Sequence, residues 1–147
     1  MDKNKIYLVQ TDTTVGFLSS DDVKLSQIKK RAPNQKILQA VNSFTTLKSK
    51  ARVPNIHKKL VRNSKLTTFI YPKGDSFRVV DKTSKHHSFI AKFGSLYSTS
   101  ANETAKGFDF DFAFNHSDII VFSKDDFFET SGSSIIRLSS FRQQKIR

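Results

Sequence analysis

Ser98-Thr99-Ser100-Ala101-Asn102 is polar where packing does not require it, directly after the apolar entry Leu96-Tyr97. Leu96 to Ser98 reads as a strand opening into a loop, and alternation along its end aims Ser100 and Asn102 to one side. Two other segments share this character. Thr11-Asp12-Thr13-Thr14-Val15-Gly16 follows the short apolar strand Ile6 to Val9 as a polar turn, and Lys29-Lys30-Arg31 closes a helix. That helix is read from Ser19-Ser20-Asp21-Asp22, hydroxyls and acids at the positive dipole end, through Val23, Leu25 and Ile28.

Outward from these three segments the chain mixes strands and helices. Ile37 to Val41, Thr67 to Tyr71, Phe77 to Val80, Ile119 to Phe122 and Ile135 to Leu138 have the β-branched and aromatic texture of strands. Ser43 is placed to cap a short helix through Leu47, and Pro54 to open another through Arg62. Ser84 to Phe93 sets His86, Phe89, Ile90 and Phe93 on one helical face, with Gly94 as the stop. Phe108 to Phe114 alternates with period two, yet Phe110 and Phe114 are also four apart, so strand and helix both fit. The class expected is α/β, with α+β as the alternative: a sheet covered by helices, in one domain over residues 1–147.

Charge is distributed unevenly. The net charge of +12 falls almost wholly in residues 1–74, which carry 15 basic and 4 acidic groups against 10 and 9 in the remainder. Val23 to Gly74 holds 13 Lys and Arg and no acid, interleaved with apolar residues, so a folded basic face with an anionic partner is expected, nucleotide or RNA. The absence of cysteine excludes disulfides, thiolate metal sites and Cys nucleophiles, and with no signal peptide or membrane span readable the expected location is the cytoplasm. Walker A, G-x-G-x-x-G and H-E-x-x-H patterns are missing, and His57, His86, His87 and His116 lack metal-ligand spacing. His86 is expected to face the core and His87 the solvent. Most of the 14 phenylalanines are expected to fill the core.

The order and spacing of the polar segments resemble the YrdC-like family of L-threonylcarbamoyladenylate synthases. That family runs P-T-D-T-x-Y-G-L, K-x-R, a T-L strand, an R-V strand, S-T-S-A-N and a late S-T-I. The matching residues are Gln10 to Phe17, Lys29-Lys30-Arg31, Leu66-Thr67-Thr68-Phe69, Arg78-Val79, Ser98 to Asn102, and Ser133-Ser134-Ile135. Gln10 stands for the first proline, Val15 for the aromatic, Ser64-Lys65-Leu66 for P-G-P, and Ala32 for the proline after K-x-R. The chain is thus similar to a minimal, single-domain member, with a twisted open mixed sheet and a basic concave cleft.

The resemblance implies a reaction of L-threonine, bicarbonate and ATP that yields threonylcarbamoyl-AMP and pyrophosphate for tRNA threonylcarbamoyladenosine synthesis. Mg²⁺ would arrive on the triphosphate rather than on protein side chains. Carboxylate, carbamate and triphosphate gather negative charge at one place, so the site needs cations more than a base. Lys29, Arg31, Ser100 and Asn102 are the implied catalytic residues. Thr11, Thr13, Thr68, Arg78, Thr99, Ser133 and Ser134 are the implied substrate-binding ones. Transfer RNA or double-stranded RNA and a downstream threonylcarbamoyl transferase complex are the implied partners; no membrane is. Two other readings stand beside this one: a non-catalytic RNA-binding module on the same scaffold, and a carbamoyl-transfer relative using another amine or carbamoyl phosphate.

Overall fold

Two apolar runs at the start of the chain pair with each other, and the rest of the sheet is laid down around them. Tyr7–Gln10 (β1) and Val15–Ser19 (β2) run antiparallel, with Thr11 to Thr14 as the turn. The computed structural model describes residues 1–147. Leu8, Val15 and Phe17 join one hydrophobic cluster, while Tyr7, Val9 and Leu18 join another on the opposite face. Both faces of this hairpin are covered. The strand β2 was not expected from the sequence, where its residues read as the end of a polar turn. It forms because β1 on one side, across the short turn, and β6 on the other, distant in sequence, supply its ladder partners.

Seven further strands follow: Gln39–Val41 (β3), Thr67–Ile70 (β4), Ser76–Val79 (β5), Ser95–Ser100 (β6), Ile119–Val121 (β7), Ser134–Leu138 (β8) and Gln143–Lys145 (β9). They form one mixed sheet in the order β7-β1-β2-β6-β3-β5-β4-β8-β9. The pairs β1/β7, β3/β5 and β4/β8 are parallel. With five α-helices on this sheet, the α/β class is the observed one. The strand β9 was also not expected, since Gln143-Gln144-Lys145 has no apolar pattern; it is an exposed edge whose ladder to β8 is the only thing that orders it.

Local capping places the helices. Asp22–Ile28 (α1) begins at Asp21, whose carboxylate accepts from the Lys24 amide at 3.1 Å, so a carboxylate rather than an earlier hydroxyl caps it. Ser43 caps Phe44–Lys50 (α2), as expected, and Ser84, where a later helical segment was expected to begin, caps Lys85–Ile90 (α4). Gly94, at φ +79, follows α4. Lys58–Asn63 (α3) continues from a 3₁₀ turn, Asn55–His57, that Pro54 introduces. The ambiguous Phe108 to Phe114 segment is helical over Phe110–Asn115 (α5), because the Asp109 carboxylate accepts from the amides of Asp111 and Phe112. Leu25 and Ala113 pack α1 and α5 on one face, Phe89 and Ile90 pack α4 on the other, and Leu47 and Val61 seat α2 and α3 over the β3 to β8 half.

The phenylalanines depart from expectation. Only Phe17, Phe69, Phe77 and Phe89 are buried, five are half-buried, and Phe110, Phe114, Phe122, Phe128 and Phe141 are exposed. Leucine, valine and tyrosine fill much of the core in their place. His86 is buried as expected, but His87 is half-buried and its Nε2 lies 2.9 Å from the Asn42 carbonyl. No helix is long and apolar enough to cross a membrane.

Candidate active site

Helix α1 ends in a turn that aims two cations inward. Lys29 is the C-cap residue just after Ile28, Lys30 takes a left-handed conformation at φ +51, and the chain reverses. The Lys30 amide donates to the Gln27 carbonyl at 3.1 Å and the Arg31 amide to the Ser26 carbonyl at 3.0 Å, the paired bonds of a Schellman cap. Glycine is the usual occupant of the left-handed position, because a side chain there is strained by roughly 1–2 kcal/mol. Lys30→Gly is therefore expected to raise the unfolding temperature. Lys30→Val, β-branched, should lower it; thermal unfolding scans measure both.

Lys29 reaches from that turn to the end of β6. Its Nζ donates to the carbonyls of Ser100 (3.1 Å) and Asn102 (2.5 Å) and to Asn102 Oδ1 (3.0 Å), with Ser100 Oγ at 3.4 Å. The side chain is buried, and burial together with the nearby Arg31 charge pulls its pKa down to about 8. The strand itself ends at Ser100, and Asn102 lies in the bend beyond. Lys29, not simple strand alternation, is what gathers Ser100 and Asn102. Asn102 Nδ2 in turn donates to the Lys106 carbonyl, fixing the amide's orientation.

Next to this tether lies a cleft of about 280 Å³ lined by Thr11, Thr13, Arg31, Arg78, Thr99 and Ser100, with Ser98, Ser133, Gly132 and Arg147 closing it. Arg31 Nη2 donates to Thr99 Oγ1 at 3.3 Å. The turn beneath is tight: Thr11 Oγ1 donates to the Thr14 carbonyl at 2.6 Å, and a Cβ at Gly16 would come within 2.9 Å of Thr11 Cγ2. Glycine at position 16 lets the threonine turn fold back over β2. Thr68 stands behind the wall, its Oγ1 3.0 Å from Ser133 Oγ. Ser134 does not join the cleft: it is exposed on β8, where its amide donates to the Leu66 carbonyl at 3.0 Å, so alternation turns it away from Ser133.

Arg78 enters the cleft from β5 and is held from behind. Its Nη2 lies 3.2 Å from Asp12 Oδ1, and His86 Nδ1 lies 3.5 Å from the same oxygen, all three side chains at most 5% exposed. These distances suit charge pairing, while the alignment leaves Arg78 Nε and both His86 nitrogens without a hydrogen bond. Burial alone would raise the Asp12 pKa, but His86 and then the Arg78 charge hold it below the usual carboxylate value. Burial lowers the Arg78 pKa, Asp12 opposes that, and the charge of Arg147 adds to it.

Arg147 is the residue sequence reasoning missed. The ladder of β9 returns the chain alongside Ile135, and Arg147 Nε donates to the Ser133 carbonyl at 2.9 Å. The only sequence signal is another arginine in a basic tail. Three arginines thus reach one small cleft walled by hydroxyls, and no carboxylate is among its lining residues. Such a site suits an anion with several oxygens.

No protein-family model matches the chain, and no curated protein matches it in sequence. Solved structures do match. Sua5 from P. abyssi in complex with L-threonine superposes with a TM-score of 0.76 at 15% identity, over 98% of this chain and 50% of that one. The chain has the YrdC-like fold. YciO from E. coli shares it with a TM-score of 0.75 at 13% identity, over 99% of this chain and 83% of YciO. The MTH1692 protein from Methanobacterium thermoautotrophicum does so with a TM-score of 0.71 at 18% identity, over 98% and 80%. The chain therefore spans half the length of Sua5 and about four fifths of the other two. Within this YrdC-like fold, the cleft lies where the β1–β2 turn, the end of β6, and the end of α1 meet.

Proposed function

We propose that the chain is an L-threonylcarbamoyladenylate synthase. The observation that carries this is the convergence of Arg31, Arg78 and Arg147 on one hydroxyl-lined cleft, beside a Lys29 held by Ser100 and Asn102. Its likeness to a protein solved with L-threonine supports the substrate class. In this reaction bicarbonate carboxylates the threonine amine with loss of water. A carbamate oxygen then attacks the α-phosphorus of ATP and pyrophosphate leaves. Charge builds on oxygens throughout, and preorganised cations and donors stabilise that build-up most. Arg31, forked and tied to Thr99, suits a carboxylate or phosphate; Arg78, stiffened by Asp12, holds a second anionic group; Lys29 keeps the β6 end in place and offers a compact charge. Thr13, Ser100 and Ser133 supply hydroxyl donors, while Thr11, whose hydroxyl donates to the Thr14 carbonyl, holds the turn that lines the cleft. Mg²⁺ would be carried by the triphosphate. The test is pyrophosphate release from ATP that depends on both threonine and bicarbonate; a folded protein that binds neither substrate overturns the proposal.

The acid-free stretch favours a second property, RNA binding by the same chain. Lys24, Lys30, Lys36, Lys48, Lys50 and Arg52 are all exposed. Binding to transfer RNA is expected to weaken steeply with salt, with a log–log slope of about −4 or steeper if about five phosphates are neutralised. A filter-binding titration across salt concentrations measures it, and salt-independent binding or none at low salt counts against it. RNA binding without any threonine-dependent pyrophosphate release would identify the chain as a non-catalytic module.

A further inference from the structure

The two ends of the sheet carry opposite charge and unburied aromatic side chains. At the β7 end, residues 108–129 hold six of the chain's 13 acids, one lysine and seven of its 14 phenylalanines. Phe122 is 74% exposed and stacks on Phe127, with ring centroids 6.3 Å apart; Phe110, 46% exposed, meets Phe114 at 6.0 Å. Phe108, Phe110, Phe122 and Phe127 frame one shallow pocket whose rim carries Asp125 and Asp126. The side chains of helix α5 and the loop after β7 thus make one exposed aromatic surface with acids at its edge, of which Asp125 is paired with Lys85 and Asp126 is in no ion pair.

The far end is its complement. A groove of about 530 Å³ lies between the α2–α3 connection, the β4–β5 turn and the β8–β9 turn, with Ile56, Tyr71 and Phe141 among its apolar residues. Lys50, Arg52 and Lys73 rim it, and its one acid, Asp75, is already paired with Lys36 at 2.9 Å. Ile56 is 62% and Phe141 86% exposed. Apolar surface edged with charge is the anatomy of a protein interface, and aromatic residues near the centre dominate its energy. The occupant that fits is an aromatic knob bearing carboxylates, which this same chain presents at its other end.

We propose that copies of this chain associate head to tail, the acidic aromatic end of one seated in the basic groove of the next. The two surfaces are built from different parts of the chain, one beside the edge strand β7 and the other at the β4–β5 and β8–β9 turns. The contact is therefore heterologous, and each copy keeps one free end unless a ring closes. Opposite charges align the approach and are screened by salt beyond about 10 Å at 0.1 M.

Sedimentation equilibrium on protein freed of nucleic acid tests this. At low salt the average mass is expected to rise with concentration above the 16.7 kDa of one chain, and to fall back at high salt. Phe122→Ser with Asp126→Lys blocks the knob, and Arg52→Glu with Lys73→Glu blocks the groove. These are surface side chains, so circular dichroism should show both variants folded. Each alone should weaken association by roughly 30-fold, as loss of a central anchor does. Mixed together, they retain one good knob and one good groove, and should form a defined dimer that grows no further. Three results overturn the proposal: a wild type that stays monomeric at low salt, blocked variants that associate as well as wild type, or a mixture that fails to pair.

Discussion

Asp12→Asn is expected to destabilise the folded chain by about 3–5 kcal/mol, the usual cost of removing one partner from a buried ion pair. Arg78 Nη2 and His86 Nδ1 both face the Asp12 oxygen, and neither side chain has another acid within pairing distance. The isosteric amide keeps the shape and removes the charge, which leaves the guanidinium buried and unbalanced. Chemical denaturation measures the loss. Replacing Arg78 by Met in the same chain should restore much of it, because the uncompensated charge then disappears; a double variant as unstable as the single one would show that the pair is not the cause. The same pair sets an acid limit. The folded-state pKa of Asp12 lies below its reference of 3.8, so its contribution is complete above that pH and is lost as pH falls through the lower, folded value. In Asp12→Asn, this part of the acid sensitivity should vanish.

Lys29→Met is expected to reduce threonine- and bicarbonate-dependent pyrophosphate release about 10²–10³-fold, the scale seen when one preorganised donor is removed from an anionic transition state. Two effects combine: a cation beside the cleft is lost, and the Ser100–Asn102 bend loses the ammonium that gathers its oxygen acceptors. Arg31→Lys retains charge and loses the fork that reaches Thr99, so a smaller fall is expected, about tenfold to 100-fold if one charge-assisted bond is lost. Unchanged turnover in both variants would remove these residues from the site. The titration of Lys29 gives an independent measure. Arg31 contributes to holding its pKa near 8, so Arg31→Gln should move the Lys29 side-chain resonance to titrate at higher pH. In the parent chain the unfolded state binds the extra proton between about 8 and the reference 10.5, so this group adds stability as pH rises through that window.

Much of this was legible in the residues alone. The capping serines at 43 and 84, the glycine stop at 94, and the β-branched runs announce helices and strands because capping and propensity act over a few neighbouring residues. The acid-free stretch and the hydroxyl-rich segments are likewise visible in the sequence, since charge and hydroxyl content need no partner to be read. What the sequence could not express is what depends on distant partners. Strand β2 is completed by a ladder to β6, far along the chain. Asp12 looks like a turn acid until the sheet brings Arg78 and His86 to it. Arg147 looks like a surface cation until β9 turns it toward Ser133. Ser133 and Ser134 look alike in sequence, and only the pleat sends one inward and the other out. Composition and local pattern determined that this chain folds as a helix-covered sheet with its basic charge in the N-terminal half. Tertiary structure decided which cations share the cleft, because a side chain's partners are chosen by strand register and close packing, not by its neighbours along the chain.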